Sequence, residues 1–153
     1  MTVNYTRIGV VGAGAMGPGI APIAAQGGRE VLLLRSFARG AERGREALAA
    51  QWNKLHEKGK IDATARDAQI ARVKAVDSVA ALAACDLVIE AVVEDIEVKR
   101  SLFRELESVV APTATLVTNT SSLSVTAIAA GLKHPERVAG FHFFNPVPLM
   151  KVV

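Results

Sequence analysis

The stretch RIGVVGAGAMG, residues 7–17, decides how the rest of the chain is read. Arg7 to Val11 is a short β-branched run of the kind that forms a strand, and it passes directly into glycines at 12, 14 and 17. Apolar residues then continue to Gln26 at helical spacing, so the order is strand, tight turn, helix. The spacing Gly12-x-Gly14-x-x-Gly17 gives each glycine a physical task. Gly12 allows the turn, Gly14 lets backbone approach a pyrophosphate, and Gly17 lets helix pack on strand. The amides around Ala15, Met16 and Gly17 then face the phosphates at the helix N-terminus. Alone the pattern occurs by chance in many chains; its position between a strand and a helix makes dinucleotide binding the stronger reading over an ordinary glycine turn.

Working outward, Gly27-Gly28 ends the helix and Glu30 to Leu34 forms an apolar run suited to a strand buried on both faces. A charged helical pair follows over 38–58 and 62–72, interrupted by Gly59 and with Asp62 as N-cap. Further strands are predicted at 73–76, 86–93, 115–118 and 137–142, alternating with helices at 78–84, 96–110 and 124–130. Pro18 fits a first helical turn, whereas the interior Pro22 predicts a bend over 18–22. Such alternation specifies an α/β Rossmann-type doubly wound, mostly parallel sheet with helices on both faces and a helical-pair insertion.

Composition bounds the function. The chain has 153 residues, enough for one domain with a real core, and half of them are hydrophobic. Eighteen basic against fifteen acidic residues leave a net charge of +3, without a dense basic run or an aromatic RNA-binding motif, so no nucleic acid partner is expected. The uncharged run 8–28 resembles a membrane span or signal core superficially, but its seven glycines and two prolines argue against both. Cys85 is the single cysteine, which excludes a disulfide framework and a cysteine metal site and makes the cytoplasm the expected compartment.

At the end of the second strand a ribose-binding acid is usual, yet this chain has Arg35 and Ser36. With Arg39 they are suited to a 2′-phosphate, which favours NADP. Arg35 is equally suited to stacking on adenine or pointing to solvent while NAD binds, and the residues alone admit both.

Three stretches, DLVIEAVVE (86–94) leading to Lys99, NTSS (119–122) and HFFNPVPLMK (142–151), together resemble the L-3-hydroxyacyl-CoA dehydrogenase family. With the glycine loop, the resemblance spans essentially the whole chain. It implies reversible hydride transfer between an L-3-hydroxyacyl-CoA and NAD, giving a 3-oxoacyl-CoA in fatty acid metabolism. It implies His142 as catalytic base, Ser121 as the contact to the reacting substrate oxygen, Asn145 as a substrate-site contact, and Asn119, Ser121, Glu94 and Lys99 beside the cofactor. On residue type alone His142 is a structural histidine, Ser121 and Asn145 are turn caps, and Glu94 and Lys99 belong to a solvated helix start. Lys54, Lys58 and Lys60 are read as a solvated face, with contact to CoA phosphates as the sharper alternative.

The resemblance also implies a glutamate twelve residues after the histidine, here position 154, one beyond Val153. The domain 1–153 is therefore expected to bind cofactor but to lack half of its catalytic dyad. The family's C-terminal helical domain, with its acyl-CoA cleft and most of a homodimer interface, is likewise expected in a longer protein. The alternatives are a stand-alone nucleotide-binding module without catalysis, or an NADP-linked dehydrogenase or reductase of another substrate.

Overall fold

The computed structural model describes residues 4–12, 16–34, 40–147, 149–150 and 153. Among the described residues six strands form one sheet in the order β3-β2-β1-β4-β5-β6, with every neighbouring pair parallel. They are β1 (Arg7–Val11), β2 (Glu30–Leu34), β3 (Val73–Val76), β4 (Leu87–Glu90), β5 (Thr115–Thr118) and β6 (Val138–Gly140). The α-helices among the described residues are α1 (Gly17–Gln26), α2 (Gly40–Glu57), α3 (Ala63–Arg72), α4 (Ile96–Val109) and α5 (Val125–Ala129). After β3 the chain returns to the middle of the sheet, so β1 and β4 flank the point where strand order reverses. In such sheets ligands bind outside the carboxyl ends of the strands at that reversal.

Central strands covered on both faces must be apolar throughout, and β2 and β4 are buried at nearly every position. One core layer joins Val10, Val31, Leu33 and Ile89 to Leu48 and Trp52 of α2. The opposite layer joins Val11, Leu32, Leu34 and Val88 to Phe103 and Leu106 of α4. Leu48 and Trp52 lie four residues apart on one helical stripe, each about 2% exposed, and burying side chains of this size contributes roughly 1.5–3 kcal/mol apiece.

Caps set the helix starts. Asp62 accepts from the Ala65 amide at 2.7 Å, Asp95 accepts from the Glu97 and Val98 amides at 2.9 and 3.0 Å, and Ser124 accepts from the Ala127 amide at 3.2 Å.

Several predicted bounds are corrected. Strand 86–93 stops at Glu90, because Val92 turns its amide back onto the Glu90 carboxylate. Strand 137–142 pairs only through Gly140, so His142 lies two residues beyond it. The helix expected at 78–84 is a 3-10 turn, Val79–Leu82. Pro18 and Pro22 both lie within α1, the former in its first turn and the latter in its interior, as the sequence places them. No helix among the described residues is long and apolar enough to cross a membrane.

Candidate functional site

The loops leaving β1, β4, β5 and β6 lie at the carboxyl ends of the strands, and each is tied to its neighbour. The Ala91 amide donates to the Val11 carbonyl at 2.6 Å, and the Asn119 amide donates to the Glu90 carbonyl at 2.8 Å. The Asn119 side-chain oxygen accepts from the Phe143 amide at 2.8 Å, joining the β5 loop to the segment that carries His142. Asn119, Ser121, Glu94 and His142, separated widely in sequence, thus lie on adjoining loops, with Lys99 in the first turn of α4 just after the β4 loop.

Gly12 has φ +141°, a region that favours glycine, and a Cβ there would sit 2.2 Å from the Ala91 carbonyl oxygen. A Cβ at Gly17 would sit 2.4 Å from the Gly12 carbonyl oxygen and 3.9 Å from Val10. Both glycines therefore permit backbone crossings within the protein, at the β1/β4 reversal. Gly14 and Ala15 lie outside the described residues, as do Arg35, Ser36 and Arg39.

The N-terminus of α1 suits an anion. Met16 at its N-cap supplies no side-chain hydrogen bond, Pro18 in the first turn carries no N–H, and no acidic residue lies in that turn. The first turn of α1 thus supplies no carboxylate of its own to the positive end of the helix dipole, which fits a pyrophosphate held by backbone donors.

Residue type alone suggests a solvated pair, and the two differ: Glu94 is exposed, with 37% of its side chain accessible, whereas Lys99 is not solvated at all. Lys99 is wholly buried because it occupies the apolar stripe of α4, four residues before Phe103 and seven before Leu106. Its Nζ donates to Glu90 Oε1 at 2.6 Å and lies 3.4 Å from Glu94 Oε2. Glu94 Oε1 accepts from the Thr120 hydroxyl, the Ser121 amide at 3.1 Å, and the Ser122 amide and hydroxyl at 3.3 and 3.2 Å. Partial burial pushes the Glu94 carboxyl upward, but the Thr120 hydroxyl, the Lys99 charge and the Ser121 amide outweigh it and hold it down at about 2.

Glu90, Thr118 and Thr120 are buried polar residues of the site that sequence reasoning passed over. Glu90 Oε1 also accepts from the Val92 amide at 2.7 Å, and Oε2 accepts from the Thr118 hydroxyl at 2.6 Å. The signal was available: a carboxylate inside an apolar, doubly covered strand requires a buried partner.

His142 is half-buried, with its ring edge-on to Phe144 at 4.7 Å. Its Nδ1 is buried and has no hydrogen-bond partner among the described residues. Ser121 and Asn145 are exposed. Lys54, Lys58 and Lys60 are exposed as well, away from these loops on α2 and the turn after it. Among the described residues no cluster of metal-ligating side chains is present.

A parallel sheet in this strand order, with Gly12 and Gly17 making close backbone contacts at the reversal and a helix N-terminus without a side-chain cap at the strand ends, defines a dinucleotide-binding domain. The family profile described as 3-hydroxyacyl-CoA dehydrogenase, NAD binding domain, matches residues 7–153, and the chain belongs to that family. It is 47% identical over 153 residues to the 3-hydroxyadipyl-CoA dehydrogenase of Escherichia coli K12, covering all of this chain and 32% of that protein. It is 41% identical to a probable 3-hydroxybutyryl-CoA dehydrogenase of Deinococcus radiodurans, covering 96% of this chain and 52% of the relative. A crystal structure of 3-hydroxybutyryl-CoA dehydrogenase from Escherichia coli K12 superposes with a TM-score of 0.94 at 47% identity, over 97% of this chain and 32% of that one. The chain thus spans between a third and about half of the relatives it matches. The cofactor of the family's domain is NAD.

Proposed function

We propose that this domain serves a 3-hydroxyacyl-CoA dehydrogenase, oxidising an L-3-hydroxyacyl-CoA to a 3-oxoacyl-CoA and running in reverse when the cofactor is reduced. NAD, when bound, supplies the hydride acceptor. The glycine turn and the α1 N-terminus would hold its pyrophosphate, with Glu94, Lys99 and Asn119 beside its nicotinamide half. His142 takes the hydroxyl proton as C3 gives up hydride, and Ser121 donates a hydrogen bond to the oxygen whose charge changes; Asn145 contacts the substrate.

The observation that carries this reading is the gathering of Ser121 and His142 on adjoining loops at the strand ends, with His142 Nδ1 buried and unpaired among the described residues. A base works best when the N–H of one ring nitrogen is held by a partner, so that the other nitrogen keeps its lone pair free to take the proton. A pure nucleotide-binding module has no need of that arrangement.

The relatives named for hydroxybutyryl and hydroxyadipyl thioesters support a short acyl group as substrate, within fatty acid or related carboxylate metabolism. A homodimer formed by helical sequence beyond this domain and a cytoplasmic setting complete the proposal. The exposed apolar side chains of Phe144, Leu149, Met150 and Val153 support the first, and the buried free thiol of Cys85 the second.

The test is His142→Ala in the intact protein, followed by NADH consumption with a short-chain 3-oxoacyl-CoA. Turnover should fall by about 10²–10⁴-fold, the range of general acid–base catalysis, while NADH affinity holds. Undiminished turnover would remove His142 as the base.

A further inference from the structure

We propose that Glu90 is a positioning residue for the turn that carries Ser121, acting through Lys99 and Glu94; this rests on the dehydrogenase reading above. The Glu90 carboxylate reaches neither Ser121 nor solvent: it stands at the end of β4, fully buried, with both oxygens engaged by Val92, Lys99 and Thr118, while the backbone carbonyl of Glu90 accepts from the Asn119 amide. A buried ion pair is weak evidence for stability, because apolar residues of the same volume often do as well or better. Its geometry points to another role.

The ammonium of Lys99 has two carboxylates in reach and is shared unequally, at 2.6 Å from Glu90 and 3.4 Å from Glu94. Glu90 is anchored to the sheet by the Val92 amide and the Thr118 hydroxyl, so it draws Lys99 inward and fixes where the charge sits. Glu94 then meets Lys99 through Oε2 only, and its Oε1 is left to gather the Thr120 hydroxyl and the Ser121 and Ser122 amides. With Glu90 replaced by a neutral glutamine, an amide oxygen holds the ammonium more weakly than the carboxylate did. Lys99 closes on Glu94, the carboxylate turns toward it, and the Ser121 amide loses its acceptor. A displaced Ser121 lowers the rate because donors work only when held where charge develops.

The experiment is a double-mutant cycle on turnover in the intact protein, with Glu90→Gln, Ser121→Ala and the pair together, each checked for folding by thermal melting. Ser121→Ala should lower kcat by about 10²–10³-fold, as for loss of one donor to a developing charge. Glu90→Gln alone should lower kcat by about 10- to 100-fold, the scale of a small misplacement. In the Ser121→Ala background the same change should cost no more than about 2-fold, because its route has been removed.

Thr118→Val is the second variant. It deletes one anchor of Glu90 while keeping every charge, and should show the same dependence on Ser121 with a smaller fall; it decides the matter if Glu90→Gln does not fold. Equal effects of either change with and without the Ser121 hydroxyl, or an unchanged kcat, would overturn the proposal while leaving the dehydrogenase reading intact. Full activity of Ser121→Ala, or no turnover in the parent protein, would instead overturn that reading, and this inference with it.

Discussion

Replacing Lys99 with methionine tests the buried charge network as a matter of stability. Methionine keeps the length and the apolar stem that packs with Phe103 and Leu106 on the inner stripe of α4, so the change removes the ammonium alone. Glu90 is then left fully buried, with the Val92 amide and the Thr118 hydroxyl as its remaining partners and no cation. Breaking one side of such a pair costs about 3–5 kcal/mol. Against a domain stability of about 5–15 kcal/mol this is a large fraction. For a chain of this size it corresponds to a fall in Tm of about 6–20 °C. Adding Glu90→Gln should restore at least half of the loss, since a neutral amide no longer carries the cost of an unpaired buried charge. Urea unfolding followed by tryptophan fluorescence reports this directly, because Trp52 is buried in the core. A loss below about 1 kcal/mol, the scale of an exposed ion pair, would show that Glu90 and Lys99 are not a desolvated pair.

Three further outcomes are expected. Gly12→Ala places a Cβ 2.2 Å from the Ala91 carbonyl oxygen at φ +141° and should cost of order 2–6 kcal/mol from strain and overpacking; Gly59→Ala, where a Cβ meets nothing, should cost about 1–2 kcal/mol, and equal urea midpoints would refute the contrast. Glu94 is held at about 2 against an ordinary 4.5, so its contribution is present above pH 4.5 and is lost as pH falls from there toward 2; a carboxyl-carbon NMR titration should show this, and Thr120→Val should raise the midpoint, whereas a parent midpoint near 4.5 would refute it. Burial pushes the Cys85 thiol up to about 12, so a thiol reagent at neutral pH should label it only after denaturant is added, and rapid labelling of the native protein would contradict the packing around it.

What the sequence made legible follows from where the constraints are local. Strands β1, β2 and β5 are short apolar or β-branched runs with nothing to compete, and their bounds come out as read. Asp62 and Asp95 cap their helices because a short acceptor next to free amides needs no distant partner. The misreadings share one cause. Residues 91–93 continue the apolar pattern of β4, but Glu90 bends its own following amide into a cap and ends the strand. Residues 141–142 look like more of β6, but Phe143 is drawn to Asn119, on the loop of another strand. In each case a side-chain acceptor, two residues away in one and 24 in the other, overrides the period that hydrophobicity alone would continue.

Lys99 shows the same limit at the level of the site. Seen in sequence it is one of several charges at a helix start, next to Arg100 and Glu97, which do form an exposed pair at 2.9 Å. Only the stripe of Phe103 and Leu106 distinguishes it, and that stripe places position 99 inside. A charge placed inside must be met, and the one carboxylate in the adjacent buried strand is Glu90, nine residues earlier. Two local anomalies, a glutamate in a fully buried strand and a lysine on an apolar stripe, thus explain each other. Together they locate the polar centre of the site at the β4 edge of the reversal, beside the backbone crossing that Gly12 makes possible. Neither anomaly is favourable alone, so the network should behave as a unit: single replacements costly, paired replacements cheap, and the loops of β4 and β5 shifting together when it is broken.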